Sequence, residues 1–290
     1  MSDKDVLPNF LVIGAQRCAT SWMYFCLKEH PDIFLPFIKE LHFFSSYYDN
    51  GLGWYKRYFN TWGGQKAIGE ISPGYLYIEK VPKLIYRDLK DVRLIVCLRN
   101  PIERAYSQYK KHQRSGLAYD SFEEAIEKDP QYIKRGFYLD QINRYLEFFP
   151  RERMLLLIYE DIQKTPIVFL KNIFCFLKID DDFVPSCYNE TISSENLRSA
   201  YDYVHNMSLF LKERIHLGGF VNLVKKSYLQ KIFDKFFNSN VAFGMTQSVK
   251  VDKVSIDPIA EETRNKLNRI FYDHNRKLEN FIGCDLAHWI

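Results

Sequence analysis

The chain has 290 residues, with 40 Lys and Arg against 36 Asp and Glu and a formal charge of +4 at pH 7. That length buries one large core and admits one or two domains. Charge this evenly mixed argues against a protein held to nucleic acid by phosphate contacts, and suits a small anionic ligand gripped by a few placed cations.

The polar start, Met1 to Asp5, lacks the apolar stretch of a signal peptide. Phe10 to Ile13 reads as a buried strand that stops at Gly14, and helical periodicity begins near Thr20 and runs to about Glu29. A strand, a loop of small residues and a helix start aim free backbone N–H groups and the positive helix end at one point, which favours phosphate. Arg17 adds a fixed positive charge there, and Thr20 and Ser21 add hydroxyls. The spacing is near that of the Walker A loop, G-x-x-x-x-G-K-[ST], but Ala19 stands for the second Gly and no Lys precedes the hydroxyl pair. Phosphate binding is expected here, and ATP chemistry is not.

His30 and Pro31 break the helix, and Ile33 to Pro36 reads as extended. Glu40 and His42 follow, two apart beside Phe43 and Phe44. Alternate residues of extended or irregular backbone share a side, so both are candidates to face a cleft whose apolar wall raises the carboxylate pKa. A surface step of Lys39 and Glu40 is the competing reading. Gly53 to Phe59 is an aromatic helical stretch, and Ala67 to Glu70 is a strand. Glu70 at its end is either catalytic or a capping or ion-pairing residue.

Leu94 to Leu98 reads as a second buried strand, with Asn100 as N-cap and Pro101 as the first helical residue. The helix puts Arg104, Ser107 and Lys111 on one face, so Arg99 and Ser107 can meet at a second anion site. The alternative is a surface ion pair and a solvent-facing Ser. A short helix follows Ser121, another runs from Gly136 to Phe149, and Met154 to Ile158 is a buried strand closing on Tyr159. Helical periodicity resumes from Pro166 to Leu177. This alternation predicts an α/β fold, a P-loop-like parallel β-sheet flanked by helices on both faces. Ligands gather at the carboxyl ends of such strands, where Gly14, Arg99 and Tyr159 lie.

From Tyr188 the pattern thins. Phe220 to Phe237 reads as an aromatic amphipathic helix, 238–258 has little pattern, and a last helix, about Ile259 to Phe281, ends before Gly283. The expectation is one domain, 1–290, with a helical C-terminal elaboration in which 188–255 shapes an acceptor pocket. Cysteines at 18, 26, 97, 175, 187 and 284 show no C-x-x-C pair and no zinc-like spacing. A reducing, cytoplasmic setting is expected, with no membrane span and no metal.

Together these motifs resemble those of the sulfotransferases that use 3′-phosphoadenosine-5′-phosphosulfate (PAPS). Arg17, Cys18, Ala19, Thr20, Ser21 and Trp22 are similar to that family's 5′-phosphosulfate loop, K-x-G-T-T-W. Arg99 and Pro101 followed by Ser107 resemble its 3′-phosphate motif, and Tyr159 to Asp161 its strand-end tyrosine motif. Lys39 to Phe44, Gly51 to Tyr55 and the closing Gly283 to Trp289 resemble the heparan-sulfate and bacterial carbohydrate or natural-product branch.

The resemblance implies PAPS as co-substrate, 3′,5′-adenosine bisphosphate (PAP) as product and a saccharide or small-molecule acceptor, with no nucleic acid partner. It implies that Arg17 stabilises the leaving oxygen and that Cys18, Ala19, Thr20 and Ser21 hold the 5′-phosphate. Trp22 and Tyr159 would border the adenine, and Arg99 and Ser107 would bind the 3′-phosphate. Glu40 would take the acceptor's proton, with His42 as orienter or alternate base. Three departures stand out. Ala19 replaces the loop Gly, a small change provided its φ is negative. Glu70 to Pro73 lacks the Lys of the heparan enzymes' E-K-T-P, and the family's C-terminal phosphate loop is not evident, which leaves Arg198 as the candidate for its role. O-sulfation is therefore expected, against a P-loop nucleotide kinase or a non-catalytic nucleotide-binding protein.

Overall fold

The computed structural model describes residues 6–116, 119–189 and 258–289. Five strands form one sheet: β1 (Phe10–Gly14), β2 (Ile33–Phe34), β3 (Ala67–Ile71), β4 (Arg93–Leu98) and β5 (Met154–Ile158), in the order β2-β3-β1-β4-β5. Every neighbouring pair is parallel. β1 and β3 are buried along their whole length, as strands covered by helices on both faces are; β1 is apolar throughout, whereas β3 carries one buried acid, Glu70. The expected α/β sheet with flanking helices is the fold this chain adopts.

The strand order sets the position of the site. From β1 the chain passes through α1 (Thr20–Glu29) to the edge strand β2, returns to β3 beside β1, then crosses through α3 (Val81–Asp88) to β4 on the other side. The winding therefore reverses around β1, and in open parallel sheets the crevice at such a reversal is where ligands sit. Gly14 allows a close crossing there. A Cβ on it would lie 2.6 Å from Cβ of Leu76, whose backbone N–H donates to Ile13 O at 2.8 Å.

The helix after β4, α4 (Pro101–Arg114), starts as its sequence predicts, with the Asn100 side chain accepting from the N–H groups of Ile102 and Glu103. A separate apolar cluster pins its far face. Ile102, Tyr106 and Tyr109 pack with Phe122 of α5 (Phe122–Lys128), Tyr132 of α6 (Gln131–Lys134) and Phe271 of the long C-terminal helix Glu261–Ile282. That helix ends at Gly283 with φ +76°, the left-handed C-cap its sequence predicts.

Two differences from expectation concern helices. The run from Gly136 to Phe149 is helical as α7 only over Tyr138–Leu146, and α3 was not anticipated at all. Pro82 conceals α3, although the first turn is where a helix tolerates proline. The expected helix over 220–237, Arg198 and all but the first two residues of 188–255 lie outside the described residues.

Candidate active site

The loop from β1 into α1 winds through two left-handed residues, Arg17 at φ +72° and Ala19 at φ +55°. Ala19 is the residue immediately before α1 and offers no side-chain cap. Its substitution for glycine is therefore not the small change a negative φ would make it. An L-residue in this conformation costs about 1–2 kcal/mol. The winding is of the kind that turns successive N–H groups toward one concavity, an anion nest at a helix start. Cys18 contributes backbone only: its thiol is buried, donates to Gln16 O at 3.6 Å, and is pushed up to about 12 by burial against the pull of Arg104 and Arg99.

Arg17 and Arg99 meet, as the adjacency of β1 and β4 requires. Arg17 Nε donates to Ser107 Oγ at 3.1 Å, and Arg99 Nη1 donates to Arg17 O at 3.3 Å. Arg99 also stacks over the Tyr159 ring, 4.4 Å from its centroid, and its backbone oxygen accepts from Tyr138 Oη at 2.9 Å. The loop and the α4 face, read from sequence as separate anion sites, thus share one hydrogen bond. Burial, and after it the charge on Arg99, pulls the Arg17 guanidinium below its usual value. Lys110, held down by burial and Arg99, belongs to the same crowd of cations. Like charges gathered at a strand-end crevice favour a polyanionic ligand. Arg104 stands behind them: it is buried and donates to Tyr132 O, while its charge still reaches Arg17 and Cys18.

Glu40 and His42 come together, on irregular backbone, one of the two conformations expected for this stretch. Neither is extended; their φ angles are +61° and +54°. His42 Nε2 lies 3.6 Å from Glu40 Oε2. Burial does draw the Glu40 carboxyl upward, but Lys39 and then His42 outweigh it, and the group is held below the usual carboxylate range. The expected upward shift is thus corrected: the wall beside Glu40 is cationic. The competing reading, which puts Lys39 on the surface, does not hold. The Lys39 side chain is 3% exposed, and Nζ lies 2.5 Å from Glu40 Oε1 and 3.5 Å from Thr20 Oγ1. An ammonium therefore joins the carboxylate to the anion loop. The nearest hint in the sequence is the missing Lys after Glu70, which leaves room for a cation from elsewhere.

Ser21 lies half-buried in the first turn of α1. Trp22 is interior, 6% exposed, with its ring edge-on to Phe169 of α9 (Pro166–Leu177) at 5.8 Å. Among the described residues no cluster of His, Cys, Asp and Glu is arranged to hold a metal ion, and no helix is long and apolar enough to cross a membrane.

The profile of the sulfotransferase domain matches residues 7–216. The chain is 35% identical over 160 residues to the membrane-associated sulfotransferase kil1 of Dictyostelium discoideum, a match covering 51% of this chain and 33% of that protein. It is 28% identical over 198 residues to the human bifunctional heparan sulfate N-deacetylase/N-sulfotransferase 2, covering 60% and 22% respectively. The chain thus spans a third or less of the length of these two relatives. The crystal structure of a sulfotransferase from Alicyclobacillus acidocaldarius shares the fold, with a TM-score of 0.70 at 24% identity over 98% of this chain and 99% of that one. The matched stretch runs through all five strands and every loop at their carboxyl ends, and the chain belongs to the sulfotransferase domain family.

Proposed function

We propose that this chain moves the sulfuryl group of PAPS to a hydroxyl of a saccharide or small natural product, with Glu40 as the base. The observation that carries the reading is the path from Thr20 through Lys39 to Glu40, which sets an ionised carboxylate beside an anion-binding loop. The loop amides with Thr20 and Ser21 hold the 5′-phosphate. Arg99 and Ser107 take the 3′-phosphate, and the Arg17–Ser107 bond gives way to phosphate contacts. Tyr159, under Arg99, borders the adenine, with Trp22 behind.

In the transfer, the acceptor oxygen forms a bond to sulfur as the bond from sulfur to the bridging oxygen breaks. The acceptor's proton passes to Glu40, and PAP leaves. Arg17 meets the charge that grows on the bridging oxygen, the point where a preorganised cation lowers the barrier most. Lys39 keeps Glu40 ionised and supplies, from a different loop, the cation that Glu70 to Pro73 lacks. The same cations favour a hydroxyl over an amine, because an amine arrives as an ammonium that Lys39 and Arg17 repel. A saccharide acceptor draws support from the relative named for heparan sulfate.

Titration of PAP by calorimetry, followed by labelled PAPS offered with sugars, aliphatic alcohols, phenols and amines, tests the reading. Label is expected on an alcohol with wild type and not with Glu40→Gln. Magnesium-dependent ATP turnover without transfer from PAPS would overturn it.

A further inference from the structure

Glu70 closes β3 and is buried, with 1% exposed. It is neither a cap nor an ion-pair partner; hydroxyls and one amide surround it. Ser72 Oγ donates to Oε1 at 2.5 Å and Tyr75 Oη donates to the same oxygen at 2.9 Å. The Tyr55 hydroxyl donates to Oε2, and the nearby Leu41 backbone N–H favours the charged carboxylate. Two of these hydroxyls are relays. Ser72 Oγ accepts from the His42 N–H at 3.4 Å, and Tyr75 Oη accepts from the Phe44 N–H at 3.3 Å. Two backbone N–H groups of one short loop, at His42 and Phe44, therefore point along hydrogen bonds that both end on one carboxylate.

The direction of those bonds matters. A hydroxyl that accepts from a backbone N–H has its proton to give onward, and because such donors reach both Oε1 and Oε2, only a group with no proton on either side can receive them all. An ionised carboxylate meets that requirement and an amide, with its NH2 on one side, does not; burial raises the Glu70 carboxyl above its usual range, and the hydroxyls of Ser72, Tyr55 and Tyr75 pull against that rise. The loop it serves is the one holding Glu40 and His42 at left-handed φ, which side chains of this kind keep only when the surroundings enforce it. Glu40 N–H donating to Ile71 O at 3.0 Å anchors the loop's start. The Tyr55 ring stacked on Phe43, with centroids 4.4 Å apart and 9° between planes, clamps its end.

We propose that Glu70 is a positioning residue of the sulfuryl-transfer site: through Ser72 and Tyr75 it gathers the backbone of His42 and Phe44 onto the end of β3 and so holds Glu40 and His42 over the anion loop. The proposal rests on the reading of Glu40 as base, and it adds a residue that touches neither substrate.

Glu70→Gln keeps the size and replaces one acceptor with a donor. Its turnover is expected to fall by about tenfold or more, the scale of a base displaced by a fraction of an ångström. PAP affinity should stay within about twofold of wild type, and in a Glu40→Gln background the added loss should be under about twofold, since the base it positions is already gone. Hydrogen exchange at the amides of 41–44 should quicken while that of β1 and β4 is unchanged. Glu70→Asp, which keeps the charge, should recover part of the rate. Losses that multiply in the double variant, PAP affinity that falls in step with turnover, or unaltered exchange at 41–44 would each overturn the proposal. If Glu70→Gln fails to fold, Tyr75→Phe removes one relay and should show the same signature in smaller degree. If wild type binds PAP but labels no acceptor, the functional reading fails, while the exchange measurement still decides whether Glu70 holds the loop.

Discussion

Replacing Lys39 by Met removes one charge and little volume, and isolates what that ammonium does. The side chain is 3% exposed, so the flexible apolar Met fills the same space. In the native site burial pushes the Glu40 carboxyl up, and Lys39 at 2.5 Å, followed by His42, pulls it below its ordinary range. Without Lys39 burial prevails. An opposite charge at contact lowers a carboxyl pKa by about 1–3 units, so its loss should carry the acid limb of kcat/KM upward by about that much. Each unit is worth about 1.4 kcal/mol. The sign follows from the role: a base works ionised, its rate rises with pH through its pKa, and a carboxyl freed of its cation must be taken to higher pH to ionise. At a pH below both limbs the variant should lose about tenfold per unit of displacement, and above both limbs this loss should vanish. The assay is a pH–rate profile with labelled PAPS and a fixed alcohol acceptor. An acid limb that stays in place while the plateau falls would refute the idea that Lys39 sets the ionisation of Glu40. Stability should move in parallel. A carboxyl depressed in the folded state stabilises above its unfolded pKa and loses that contribution as pH falls through the folded one. The melting-temperature gap between wild type and variant should therefore narrow in acid.

Glu40→Gln should lower turnover by about 10²–10⁴-fold, the span of general-base contributions, with PAP affinity unchanged by calorimetry; normal turnover would remove Glu40 from the mechanism. Arg99→Ala should weaken PAP binding more than any other single change, by about 1.5–3 kcal/mol for a lost charge-assisted contact. Equal affinity would refute the 3′-phosphate assignment. Ala19→Gly should stabilise the fold by about 0.5–1 kcal/mol, because relief of the left-handed strain at φ +55° exceeds the entropy that glycine adds to the unfolded chain. A lower denaturation midpoint would show that the loop holds Ala19 without strain.

The parallel sheet was legible because its strands are near-continuous apolar runs bounded by turn residues, a signal that needs no tertiary knowledge. The candidate anion site was legible for the same reason: Gly14, Arg99 and Tyr159 are fixed by where strands stop. What escaped depended on contacts distant in sequence. Lys39 looks like a surface residue until β3 brings the loop of Glu40 against Thr20, nineteen positions earlier. The ionisation of Glu40 was misjudged because the sequence displays Phe43 and Phe44 as neighbours and hides which way Lys39 folds. Ala19 concealed its left-handed backbone, since a non-glycine residue announces no positive φ. Glu70 was recognised as a strand-end acid, but its partners Tyr55, Ser72 and Tyr75 lie on a helix and a turn whose packing no local pattern encodes.

The order of strands also orders the proposed chemistry. β1 ends in the anion loop, β4 on one side ends in Arg99, and β3 on the other carries Glu70, against which the Glu40 loop is folded. Neighbouring parallel strands lie about 4.8 Å apart, so three adjacent strand ends set out 3′-phosphate, phosphosulfate and acceptor in a line. Nucleotide and base cannot exchange sides without changing the sheet order, because each is tied to its strand by backbone: Arg99 directly follows β4, and Glu40 N–H is bonded to Ile71 at the end of β3. A substitution at Glu70 should therefore reach the acceptor side of the line and leave the nucleotide side untouched, whereas one at Arg99 should do the reverse. On the proposed reading, the sheet itself separates binding of the donor from activation of the acceptor.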